Sequence, residues 1–340
     1  MAIFVLMPSG QIAGTAGDRP MSHDTTVPTA LILGLTGAIG GAIAKALAQR
    51  GFTLRALTRR RPAERPSFAF PVDWRDGDAR DAASVRAAAE GASLIVHGVN
   101  PPRYARWRED ALPMLANTIA AAKAVGATIL FPGNVYVYSS ASPSVVSETT
   151  PRRPTTRKGQ VRLEMEEMLE QAARDHGVRV IAIRAGDFFG PGVTNSWFAQ
   201  VLAKGGMAAT SVQRLTRPGI GHAWAYVPDL AETFARLVDI RADLPNYTML
   251  NFAGHYDATG HDMTDAVRRV LGRPDLPVKP FPWIILWLAA PFVGFMREAI
   301  EMRWLWKQGL ALENRGLVGL LGQEPHTPLD EAVRAALSSD

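Results

Sequence analysis

Ala30-Leu-Ile-Leu-Gly34-Leu-Thr-Gly37-Ala-Ile-Gly40-Gly41 is the stretch that decides the fold. A short apolar run ends in a glycine loop, and the loop opens a helical stretch from Ile39 to Arg50. In the spacing Gly-x-x-Gly-x-x-Gly, Gly34 allows a tight turn and Gly37 lets the backbone approach a pyrophosphate. Gly40 permits close packing of the helix on the strand. The helix start adds unpaired N–H groups and a partial positive charge. Strand, loop and helix together predict a dinucleotide cradle at Gly34, Thr36, Gly37, Ala38, Ile39 and Gly40. The same glycines in a ligand-free turn are the bland alternative.

Outward from that loop the pattern alternates. Apolar runs at 52–58, 68–72, 94–97, 128–131 and 178–183 are separated by helical stretches at 82–90, 104–125 and 161–176. Buried strands alternating with amphipathic helices predict an α/β fold, a doubly wound parallel (Rossmann) sheet covered on both faces. Beyond Gly186 the alternation loosens and Gly-Pro breaks appear at Gly190-Pro191 and Pro218-Gly219. The expected layout is a dinucleotide-binding domain over 30–185 and a smaller, mainly helical substrate lobe over 186–340, partly interwoven with it. The ligand cleft then belongs at the sheet's carboxyl edge.

Composition narrows the classes. The 340 residues are 47% hydrophobic and 20% charged, which offsets chain entropy and excludes disorder over most of the length. With Cys at 0, disulfides, thiolate zinc sites, iron–sulfur clusters and a cysteine nucleophile are excluded. The histidines have no ligand spacing, so no metal is expected. Lys+Arg 37 against Asp+Glu 32 leaves a small excess in short clusters, Arg59-Arg60-Arg61 and Arg152-Arg153. These suit a phosphate-bearing small molecule, and no nucleic-acid partner is expected. Met1 to Thr29 reads as a disordered tail without the basic start of a signal peptide, so the expected location is cytoplasmic. Phe281 to Met296 is apolar but broken by Pro282 and Pro291 and too short to span a bilayer, so a buried helix is expected. Trp283, Trp287, Trp304 and Trp306 keep membrane-surface contact as a minority reading.

Further segments carry a resemblance. Gly77-Asp78-Ala79, Val96-His97-Gly98-Val99-Asn100, Arg184 to Gly192, Tyr226-Val-Pro-Asp229-Leu-Ala231 and Thr327 to Val333 follow the glycine loop in order. Together they resemble the extended short-chain dehydrogenase/reductases, the NAD-dependent epimerase/dehydratase family. The resemblance implies that Asp78 and Ala79 meet the adenine and that Gly98, Val99 and Asn100 lie beside the nicotinamide ribose. It also implies a possible homodimer through the helices at 104–125 and 161–176. Where NAD enzymes carry an acid for the ribose hydroxyls, this chain has Thr58 followed by Arg59 and Arg60, which favours NADP over NAD. A solvated basic loop is the bland reading.

The family's catalytic Tyr-x-x-x-Lys is missing. None of the six Tyr has Lys four residues on. Set against the family's helix, Lys158-Gly-Gln-Val-Arg162 puts Lys158 in the Tyr place and Arg162 in the Lys place, and Asn134 stands where the family has Ser. Two readings stay open. In one, a redox site acts on a small-molecule substrate, a carbonyl compound or nucleotide sugar. Lys158 is its acid or base, lowered in pKa by Arg162, with Asn134 on a carbonyl and Tyr136 as a second phenol. In the other, the chain binds NADP without turnover, as a sensor or assembly factor. His97 is either near the cofactor or structural. Tyr104, Trp107, Asn195, Trp197, His222 and Trp224 are candidates for the substrate cleft or for core packing. Glu164, Glu166 and Glu167 read as a solvated helix face.

Overall fold

The computed structural model describes residues 27–101, 107–284, 286 and 300–338. Seven parallel strands form its centre: Thr29–Leu33 (β1), Thr53–Thr58 (β2), Val72–Asp76 (β3), Ala92–His97 (β4), Thr128–Pro132 (β5), Val180–Arg184 (β7) and Tyr247–Asn251 (β11). Their order is β11-β7-β5-β4-β1-β2-β3, so the winding reverses between β1 and β4. Shorter strands make three small sheets. Val145–Val146 (β6) pairs with Ala311–Leu312 (β14), and Asp187–Phe189 (β8) and His255–Asp257 (β12) flank His222–Tyr226 (β10). Val212–Arg214 (β9) pairs with Val278–Pro280 (β13).

Alternation along β1 explains the layers. Ala30 and Ile32 face a core shared by Ala38–Ala48 (α1) and Val227–Asp239 (α5). Leu31 and Leu33 face the opposite core, under Ala82–Ala89 (α2), Trp107–Val125 (α3) and Arg157–His176 (α4). Both faces of the strand are buried, hence the unbroken apolar run in the sequence. Asp262–Val270 (α6) lies in the C-terminal part, where its Met263, Ala266 and Val267 belong to one core with Trp224 and Trp306.

Several expected boundaries move. The third strand is Val72–Asp76, which begins four residues after the start of the apolar run read as a strand and shares only Val72 with it. Pro66 precedes that run and Pro71 lies within it, and both lack the N–H a ladder needs, so Phe68 and Phe70 stack on each other instead, with centroids 5.3 Å apart. The sheet's seventh strand, β11, comes from beyond Gly186 and pairs with β7, and the region beyond Gly186 carries short strands as well as helices. α4 starts four residues earlier than its apolar periodicity suggests, because Thr156 Oγ1 accepts from Gly159 N at 3.0 Å and caps it. Lys158 therefore lies in the first turn. The tail up to residue 26, Tyr104 and most of Phe281–Met296 lie outside the described residues. Among those described, no helix is long and apolar enough to cross a membrane.

Candidate functional site

The glycine loop stands where the winding reverses, the place at which open α/β sheets bind ligands. Gly34 has φ +94°, and a Cβ on Gly40 would lie 2.3 Å from the Gly34 carbonyl oxygen. α1 can therefore sit directly on the strand end only with glycine there. Gly98, at the end of β4, closes the same contact, its N–H donating to Leu33 O at 2.8 Å. Gly37 is the N-cap of α1 and makes no side-chain cap bond, and the first turn holds no acid. The N–H groups of Ala38, Ile39 and Gly40 thus start an 11-residue helix with no side chain competing for them. Thr36 and Gly37 are exposed at the rim. These features fit a pyrophosphate.

A cleft of about 500 Å³ runs from Gly34 and Thr36 past Thr58, Arg59 and Arg60 to Asp78, and includes Val99 and Asn100. Thr58 ends β2, and its hydroxyl accepts from Arg60 N at 3.1 Å, which turns the chain so that both arginines meet the cleft. No carboxylate stands at the Thr58 position. Asp78 is engaged by Arg80, with Nη2 to Oδ2 at 2.7 Å, and Arg59 Nη1 is 3.9 Å away. The Arg80 hydrogen bond holds the Asp78 carboxyl below its ordinary range. Ala79 is buried, with its carbonyl accepting from Asn117 Nδ2 at 2.9 Å.

At the ends of β4 and β5 the candidate catalytic residues converge. Asn134 Oδ1 accepts from Tyr136 N at 3.1 Å and caps the 3₁₀ turn Val135–Val137, leaving its amide NH₂ as the group it can offer a carbonyl. A Cβ on Gly159 would lie 2.3 Å from Tyr136 O, so this glycine lets the first turn of α4 press against that turn. Lys158, only 6% exposed, and Tyr136 share this junction. Arg162, one turn along, lies over the rings of Trp107 and Phe131 and donates from Nη2 to Asn100 Oδ1 at 3.1 Å. That bond joins the helix to the dinucleotide cleft. His97 is buried, with Nδ1 2.9 Å from Thr118 Oγ1. Thr118 gives its own proton to Met114 O, so His97 Nδ1 is the donor, and Nε2 carries a lone pair that has no partner among the described residues. Burial first, then the Arg162 charge, push its pKa down to about 3, so the ring is neutral.

Several contacts here lay beyond the sequence reading. Glu166, expected on a solvated face, is 1% exposed and makes a two-pronged bond to Arg184, at 2.9 and 2.8 Å. Burial opposes the Arg184 charge, and the Glu166 bond more than compensates, holding it above its ordinary value. Arg184 Nη1 also donates to Tyr138 OH at 3.0 Å, so the end of β7, α4 and the turn after β5 are locked together. From the C-terminal part, Glu301 Oε1 accepts from Lys158 N at 3.1 Å. His222 Nε2 meets Asp187 Oδ2 at 2.8 Å, and its ring stacks on Trp306 at 3.7 Å and 10°. Of the cleft candidates, Trp107 and Trp224 are core residues, 6% and 2% exposed, and Trp197 packs against Trp283 and Trp306.

Comparison with known proteins agrees with this geometry. No curated protein searched matches the chain. Solved structures match its fold throughout. UDP-glucose 4-epimerase from Bifidobacterium longum, in complex with NAD+ and UDP, is 17% identical with a TM-score of 0.71, covering 92% of this chain and 98% of that one. The Thermotoga maritima UDP-glucose 4-epimerase with UDP-glucose gives 14% and 0.72, and the Thermus thermophilus enzyme complex with NAD gives 19% and 0.69, both with the same coverage. At such identities these likenesses establish the fold. The family model for the NAD dependent epimerase/dehydratase family matches residues 30–253, most of the chain, and the chain belongs to that family.

Proposed function

We propose that this chain is an NADP-preferring oxidoreductase of epimerase-like architecture, acting on a carbonyl or nucleotide-sugar-type substrate with a changed set of catalytic groups. The observation that carries the reading is the Arg162–Asn100 bond, which joins the helix of Lys158 to the rim of the cleft that Arg59 and Arg60 line. The bound dinucleotide would supply the hydride donor and acceptor. Arg59 and Arg60 would hold the 2′-phosphate, where charge-assisted hydrogen bonds contribute roughly 1.5–3 kcal/mol each. The Bifidobacterium longum and Thermus thermophilus structures contain NAD, and the arginines after Thr58 are the reason to expect NADP here.

Lys158 is the group that moves the proton to or from the substrate oxygen. Arg162, one helical turn along, stays charged at every working pH. Asn134 orients the oxygen through its amide NH₂, and Tyr136 stands beside it as a second phenol. The test is NADPH oxidation with a panel of aldehydes, ketones and nucleotide sugars. Turnover of any member supports the reading. A chain that binds NADPH tightly and turns over none of them is a binding protein, a sensor or assembly factor.

A further inference from the structure

The helix that carries Lys158 begins without an acid of its own. Its cap Thr156 takes the N–H of Gly159 on Oγ1, and Gln160 N makes the first backbone bond, to Thr156 O. The N–H of Lys158, ahead of both, has no acceptor within the helix. Arg157 and Lys158 put two cations in the first turn, at the positive end of the helix dipole, and no carboxylate offsets them there. A local capping acid would belong at the position of Gly159. It has no room, because a Cβ there would already lie 2.3 Å from Tyr136 O. The first acid along α4, Glu164, pairs with Arg108.

The acceptor comes from the C-terminal part. Glu301 Oε1 takes the Lys158 N–H at 3.1 Å, across 143 positions. The segment that follows Glu301 is fastened over the turn after β5. Met302 and Leu305 share a core with Val135, Val137 and Tyr138, and Tyr136 and Leu163 of α4 pack against that core. Further along, Gln308 Nε2 donates to Ser142 O at 3.1 Å. Ala311 N donates to Ser144 O at 2.7 Å, where β14 pairs with β6. One segment therefore covers the turn of Asn134 and Tyr136, and the carboxylate at its head holds the backbone of Lys158.

We infer that Glu301 is a positioning residue, which caps the Lys158 N–H from the C-terminal part and so fixes the point from which the Lys158 side chain reaches the substrate oxygen. A charge-assisted bond to a first-turn N–H is directional. It sets where α4 starts, and with it the Cα–Cβ direction of Lys158. The inference rests on Lys158 moving the proton in the proposed function, while the bond itself can be read without turnover.

Amide hydrogen exchange in ¹⁵N-lysine-labelled protein follows only six lysines, with Lys158 assigned by its loss in K158M. The expected result is a Lys158 amide protected in the unmodified chain and in E301Q, whose amide oxygen can still accept. In E301A it should exchange roughly 10–100-fold faster, as loss of a bond to a charged group implies. An unprotected amide in the unmodified chain, or equal protection in E301A, overturns the inference. For any compound the panel shows to be turned over, E301A should lower kcat by roughly 10–100-fold, with KM and NADPH affinity within about threefold. E301Q should bring kcat back to within about threefold of the unmodified chain. An unchanged kcat in E301A, or E301Q as slow as E301A, overturns it too. The expected protection with no NADPH oxidation across the panel sinks the redox reading, and the positioning role with it, while the cap stands. Turnover with a Lys158 amide that ignores E301A sinks this inference alone.

Discussion

The end of β1 and the end of β5 make an instructive pair. At the end of β1 the chain keeps what the family's cradle needs, since Gly34, Gly40 and Gly98 press backbone against backbone. At the end of β5 it keeps the frame and changes the groups: Asn134, Lys158 and Arg162 stand where the family has Ser, Tyr and Lys. The first region works through backbone N–H groups, which few sequences can supply in that geometry. The second works through side chains borne by a turn and a helix whose packing tolerates substitution. Under the proposed function, ligand binding and chemistry fall in separate regions, and variants in the two should fail in different ways.

The largest expected effect is at Lys158. Lys158→Met should lower turnover by roughly 10²–10⁴-fold, the usual weight of a lost general acid, with NADPH affinity little changed. Steady-state rates beside a calorimetric titration check both halves. Turnover that survives would transfer the proton to another group, Tyr136 first.

Next is the lock that holds the changed helix in place. Glu166→Ala leaves the Arg184 guanidinium buried, 2% exposed, without its carboxylate. Breaking such a pair costs about 3–5 kcal/mol, visible as a lower urea midpoint. An unshifted midpoint would show that α4 is held by apolar packing alone.

In the cradle, Gly37 has an ordinary φ of −85°, and a Cβ there would meet only Gly34 O, at 3.3 Å. Gly37→Val should therefore fold, yet lose NADPH affinity by more than about 100-fold, roughly 2.7 kcal/mol, because the branched side chain fills the pyrophosphate's place. Retained affinity with unchanged circular dichroism would show that the phosphates lie elsewhere.

Between the two regions sits His97, which should make the protein acid-sensitive. Its folded pKa of about 3 lies below the unfolded value, so the unfolded chain binds the extra proton. Stability from this site is complete above about pH 6.5 and falls by about 1.4 kcal/mol per pH unit down towards pH 3. Urea midpoints measured across that range should flatten in His97→Gln. Identical profiles would mean that other groups govern the acid limb.

Legibility in the sequence follows the same division. The glycine loop and the strands at β1, β4, β5 and β7 are readable because a turn spacing and doubly buried apolar runs are local signals, and β2 is readable from its one-sided alternation. β11 is not: Tyr-Thr-Met-Leu-Asn at the sheet's edge alternates half-buried and buried positions and looks like many loops. The pairs around the altered site are further still from local signals. Glu166 meets Arg184 across 18 positions, Asp187 meets His222 across 35, and Glu301 meets Lys158 across 143. Glu166 reads as one more charge on a polar helix face until Arg184 is placed beneath it.

In the proposed function, Thr58, Arg59 and Arg60 at the rim of the glycine cradle take the place of a ribose-binding acid. Calorimetric titration of NADPH and NADH into the unmodified chain tests that directly. One charge-assisted bond to the 2′-phosphate predicts NADPH binding at least about tenfold tighter. Equal affinities, or tighter NADH, would contradict it.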